Sequence, residues 1–118
     1  KGTKRETRAN ANVAAAELHA VRQQLQRDWT NAVQRYRTAI GQASNYRERI
    51  LPKANEALRL VQTGFEQGKF AFIDLIDIQR TAAEAQLAYR QKLLEMNVAQ
   101  AELEALLSGR DQPDSPAG

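Results

Sequence analysis

From Leu18 onward apolar residues recur at helical intervals. Leu18, Val21 and Leu25 are followed by Trp29, Ala32, Tyr36, Ala39, Ala43, Tyr46 and Ile50. Steps of three and four residues put these side chains in one stripe, close to the seam of a coiled coil. Gly41 sits inside the stripe at a cost of about 1 kcal/mol relative to alanine. Beyond Pro52 the pattern resumes with Ala54, Ala57, Leu58, Val61 and Phe65. Proline lacks a backbone donor and crowds the preceding turn, so Pro52 either kinks the helix or opens a second one at its first position. Continuity of the stripe across it favours a kink, and the pattern predicts a helix over about residues 4–66.

The stretch Leu60–Thr81, LVQTGFEQGKFAFIDLIDIQRT, breaks this regularity. It holds two glycines four apart and all three phenylalanines of the chain. The helix should end near Gly64 or Gly68. Gly68 is the better terminating residue, because glycine takes the left-handed conformation without a Cβ penalty. A turn over about 67–70 and a return helix over about 71–107 follow. Residues 1–108 then form one hairpin, and 109–118, with Gly109 and the tail RDQPDSPAG, are expected to be disordered. So short a turn makes the helices antiparallel. At 1.5 Å per residue they reach roughly 85–95 Å and roughly 55 Å, leaving about 25 N-terminal residues of the first helix without an intramolecular partner.

The return helix carries two apolar stripes. One is Leu75, Ala82, Ala85, Tyr89, Met96, Ala99, Leu103 and Leu106; the other is Ile73, Ile76, Ala83, Leu87, Leu94, Val98 and Ala101. An offset of two residues turns about 200° around a helix. Between them runs a polar, largely acidic line of Asp74, Asp77, Thr81, Glu84, Gln91, Glu95 and Glu102. Two opposed apolar seams imply a neighbour on each side, as for a stave in a barrel of helices; a simple two-helix coiled coil needs one. The fold class is all-α, a long antiparallel hairpin built to be part of a larger assembly.

Composition narrows the functional classes. The 118 residues are 42% apolar but only 6% aromatic, a long-helix balance. The net charge is +3, with ten Lys/Arg against four Asp/Glu in residues 1–50 and seven against ten thereafter. An acidic second helix argues against nucleic acid as a partner. There is no cysteine, hence no disulfide or thiolate chemistry. His19, the single histidine, has no companion ligand, so no metal site is expected; no cofactor site is expected either. No signal-like apolar region, bilayer-length apolar run or alternating membrane-strand segment is present. A start at Lys1 without methionine fits a piece of a longer or processed protein.

The segment YRERILPKANEALRLVQTGFEQGKFAFIDLIDIQRTAAEAQLAY resembles the helical hairpin of the outer membrane factor family, the TolC-like channels of bacterial export systems. The carriers are Phe65, Gly68, Asp74, Asp77 and Gln79, with helical similarity from about Lys1 to Leu107. Tyr46, Leu51-Pro52, Gly68-Lys69-Phe70 and Gln79-Arg80-Thr81 resemble its heavy-metal efflux branch, the CzcC- and CusC-like proteins. This likeness implies a homotrimer whose strands, absent from this chain, make the outer-membrane contact. It implies that the chain is one hairpin of the second repeat, in a periplasmic helical tunnel. Its turn would meet a periplasmic adaptor and, through it, an inner-membrane pump. Adaptor contacts would fall on Phe65, Gln67, Gly68, Lys69 and Phe70, and a gate on Asp74, Asp77 and Arg80. Phe65 stands where tyrosine is common, and Phe70 where some members are polar or basic, so a gate bonded from those positions is not expected.

Each of these residues has a local reading as well. Asp74 and Asp77 support a helix N-terminus, and Asp74, near the third helical position, can accept a hydrogen bond from an unsatisfied N–H. The phenylalanines can pack the tip, and Arg80 can pair with Asp77 or Glu84 at helical spacing. Nothing accompanies the carboxylates that would make them an acid–base pair, so no enzyme is expected. The alternatives to a passive export duct are an intracellular coiled-coil scaffold, which needs only one seam, and a basic nucleic-acid-binding helix pair.

Overall fold

The computed structural model of the chain describes residues 3–111. Every element among them is helical: α1 (Thr3–Asn45), a π-helical turn (Tyr46–Ile50), α2 (Leu51–Glu66) and α3 (Phe72–Asp111). The first three form one rod, because Asn45, Ile50 and Leu51 keep helical backbone angles across the junctions. α3 runs back along that rod, packing on both α1 and α2, in a body of 98 × 30 × 20 Å. The long antiparallel hairpin read from the stripes is the fold.

Pro52 does not end the helix. It stands in the first turn of α2, just past the π turn, where the Leu51 N–H donates to the Tyr46 carbonyl five residues back. The wider turn makes room for a proline ring that would otherwise press on the carbonyl four residues earlier, that of Glu48. The irregularity expected at Pro52 is therefore a widened turn at Tyr46–Ile50.

The return helix is longer than the sequence pattern indicated. It continues through Leu107 and Gly109 to Asp111, so Gly109 is an interior helical residue and not a stop. A lone glycine costs only about 1 kcal/mol in a helix, too little to end one that neighbouring residues favour. Residues 112–118, the rest of the expected tail, lie outside the described residues, as do Lys1 and Gly2.

The two arms meet along one seam. On α3 it comprises Leu75, Ile78, Ala82, Ala85, Tyr89, Lys92, Met96, Ala99, Leu103 and Leu106, each buried or half-buried. These positions alternate by three and four without a fault, a strict heptad. Ile78 and Lys92 were not in the stripe read from sequence. Lys92 joins it by laying its aliphatic stem along the seam while its ammonium reaches Glu95 at 3.4 Å. On the rod the seam runs from Trp29, Ala32, Tyr36, Ala39, Ala43 and Tyr46 to Ala54, Leu58 and Val61. Of the six buried apolar residues among those described, five are alanines, Ala32, Ala39, Ala43, Ala82 and Ala99, with Leu75 the sixth. Small side chains let the helices lie close, but such a seam removes little apolar area from water.

Most of the large apolar side chains remain outside it. Leu87 is 67% exposed, and Ile73, Leu94 and Val98 share its outer face of α3. Val13, Leu18, Val21 and Leu25 are exposed on α1, where residues 3–27 are all uncovered. A bidentate pair spans the arms: Arg35 donates from Nε to Glu102 Oε2 at 3.1 Å and from Nη2 to Oε1 at 2.5 Å.

Candidate functional site at the hairpin tip

The turn is built by backbone chemistry. Gly68 adopts φ +77, the left-handed region. Its N–H donates to the Phe65 carbonyl at 3.0 Å, and the Lys69 N–H donates to the Gly64 carbonyl at 2.7 Å. This pair of bonds is a Schellman motif, which satisfies the last carbonyls of α2 and reverses the chain. Gly68 is the terminating residue expected from sequence. Gly64 has a different job: it is buried inside α2, and a Cβ built there would overlap the Phe70 ring. The missing side chain is the seat for that ring.

The phenylalanines pack on one another and stay accessible. Phe65 and Phe72 rings lie 5.8 Å apart at a tilt of 54°, a favourable aromatic geometry. Yet Phe65, Phe70 and Phe72 keep 36%, 44% and 61% of their surface exposed. Gln67, Gly68 and Lys69 are exposed at the apex between them. The five residues expected to contact an adaptor therefore fall together at one end of a rod nearly 100 Å long.

The candidate gate residues divide. Asp74 is the third residue of α3, and its Oδ2 accepts from the Ala71 N–H at 3.0 Å, the back-bond that satisfies a free N-terminal donor. Asp74 and Asp77 both border a shallow groove with Val61, Phe70, Ile78 and Thr81. Arg80 does not join them. It makes no ion pair with Asp77 or Glu84 among the described residues, contrary to the pairing its spacing allowed. Exposed pairs of this kind gain little against side-chain entropy, and toward Glu84 the base precedes the acid, the weaker helical order.

Cross-arm electrostatics lie elsewhere, in the Arg35–Glu102 pair, whose hydrogen bond raises the pKa of Arg35 above its ordinary value. On the rod, the Arg59 hydrogen bond holds the Glu56 carboxyl below its usual range. Arg35 and Glu102 edge a groove of about 470 Å³ floored by Ala39 and Ala99 and walled by Leu94 and Val98. Sequence reading missed this pair, because its register across the seam is fixed only once the turn is placed.

No group of three His, Cys, Asp or Glu stands close enough to hold a metal ion among the described residues. His19 lies on the exposed part of α1, away from the tip. Among the described residues no helix is long and apolar enough to cross a membrane. What the arrangement offers is shape: an aromatic knob on a long, incompletely covered shaft.

No family model matches the chain, and no solved structure matches it. Among curated proteins it is similar to the cobalt-zinc-cadmium resistance protein CzcC of Cupriavidus metallidurans, with 33% identity over 79 residues. That match covers 67% of this chain and 19% of CzcC, so the matched part spans about a fifth of the relative's length. This match agrees with the resemblance, read from the sequence, to the CzcC-like heavy-metal branch of the outer membrane factor family.

Proposed function

We propose that this hairpin is a stave of a periplasmic export duct for heavy-metal cations, and that its tip docks a periplasmic adaptor. The observation that carries the reading is the joint one at the two ends of scale. An exposed cluster of Phe65, Phe70 and Phe72 crowns the hairpin, while α3 shows a second apolar face that none of the described residues covers. Exposed apolar clusters of this sort mark contact surfaces. The similarity to a cobalt-zinc-cadmium resistance protein supplies the class of cargo.

In this reading three copies of the full protein close a tunnel below strands that sit in the outer membrane. The duct is passive; an inner-membrane pump, reached through the adaptor, supplies the energy. Gln67, Gly68 and Lys69 meet the adaptor's own hairpin tips, with Phe65 and Phe70 as the apolar centre of the contact. Asp74 and Asp77 border the entrance, Asp74 also holding the first turn of α3. Arg80, unpaired with either aspartate, is left to engage a neighbouring stave. The cation crosses the tunnel as cargo and needs no resident site on the hairpin. The second face argues for this stave over a free-standing scaffold, which would leave no such surface bare.

Metal accumulation tests the function. Cells lacking the full protein should hold several-fold more cobalt, zinc or cadmium after a metal challenge, restored by the intact gene. Unchanged accumulation of all three would remove the metal-export reading.

A further inference from the structure

Each arm carries one departure from regular seam packing. On the rod the step from Tyr46 to Ala54 is eight residues, one more than a heptad, and the π turn at Tyr46–Ile50 takes up the surplus. On α3 the departure is chemical: of the ten seam residues from Leu75 to Leu106, Lys92 alone is charged. Its side chain is 26% exposed, with the stem in the seam and the ammonium led out to Glu95. The two departures lie at the same level. Phe65 stands beside Phe72 and Arg35 beside Glu102, pairs thirty residues apart on both arms, so Lys92, ten residues before Glu102, is level with Asn45 and Tyr46. α3 packs on the π turn there.

Without Lys92 the α3 seam would be generic, an uninterrupted apolar heptad able to pair with a second α3. Its edges do not forbid that. In a parallel pair the edge with Asp74, Glu95 and Glu102 would meet the edge with Gln79, Gln86 and Gln100, which repels nothing. Lys92 would meet its own counterpart, two like charges at one level of an apolar seam. A regular helix would also offer Lys92 a hole shaped for an apolar knob. The rod instead offers a widened turn followed by Ile50 and Leu51, both half-buried. We propose that Lys92 and the π turn are a matched pair that commits the α3 seam to this rod and excludes a second copy of α3. The cost is a charge held at a seam position. This inference rests on seam chemistry and register and stands apart from the export reading.

The chain has no cysteine, so Ala99→Cys places a single thiol in the seam, where the rod covers it. In a parallel α3 pair two such thiols meet, whereas contact through the outer face of α3 keeps them apart. Refolding from urea, followed by oxidation with copper phenanthroline, would report the exchange. Disulfide-linked dimer should be scarce with Ala99→Cys alone and rise about tenfold or more when Lys92→Leu is added. Lys92→Met, which keeps an unbranched stem, should act like leucine and decides the matter if the leucine variant does not fold. Lys92→Arg, which keeps the charge, should leave dimer scarce. Dimer equally scarce without the charge, or equally abundant with arginine, overturns the exclusion. A double-variant cycle tests the match. Deleting Arg47 removes the surplus residue, so Lys92→Leu should raise the urea midpoint more on the shortened rod than on the parent one. A shortened rod that folds only with leucine supports the match; equal shifts, or failure to fold with either residue, overturn it.

Discussion

Gly64 and Phe70 form the most exacting contact in the hairpin, because one side chain occupies the space the other residue lacks. Gly64→Ala should displace the Phe70 ring and cost about 1–3 kcal/mol, the range for overpacking. Urea unfolding followed by circular dichroism would read it, and most of the loss should vanish when Phe70→Ala is combined with it. An unaltered midpoint in the single variant would contradict the contact. Asp74 and Asp77 separate by the same measurement. Asp74→Ala loses the back-bond to Ala71 and the favourable charge at the α3 N-terminus, about 0.5–1 kcal/mol, whereas Asp77→Ala should leave the midpoint nearly unchanged. Equal losses would erase the division of roles between them. The local bond of Asp74 was legible in the sequence, since nothing before it offers a capping side chain. Gly64's role was not, because it depends on where the turn returns Phe70.

Elements were legible wherever a period of three and four persisted. The first stripe of α3 became its seam, and Gly68 ended α2 as its chemistry required. Two features needed coordinates. The stripe reads as continuous across Pro52, and only the structure shows a π turn at Tyr46–Ile50 that takes up the eight-residue step from Tyr46 to Ala54. Lys92 reads as polar in sequence, yet its stem completes the seam. The outer face of α3 gives an element-scale prediction. If Leu87 and Leu94 meet a neighbouring helix, Leu87→Glu with Leu94→Glu should weaken self-association by about 100-fold or more, given about 1.5–3 kcal/mol for each leucine buried. Light scattering over a concentration series would show it. Association that is equally strong in the double variant would assign the contact to another surface.

At the scale of the molecule, length and economy of core go together. A body of 98 Å whose buried apolar residues, among those described, are five alanines and one leucine has too little buried apolar surface to stand alone with much margin. Residues 3–27, including Leu18, Val21 and Leu25, have no cover among the described residues, as the mismatch of helix lengths foretold. The large-scale plan was thus readable from two glycines and two stripe lengths. Identity of the covering partners was not, because a seam records that a neighbour exists and not which one. The claim that the tip is a docking end is tested most directly by site-specific cross-linking in cells that make the full protein. Photoreactive groups would be placed at Gln67 and Lys69 of the tip and at Gln34 of the shaft. Docking at the tip should give an adduct with the periplasmic adaptor from both tip positions and none from the shaft. Metal export intact, with no adaptor adduct from either tip position, would contradict it.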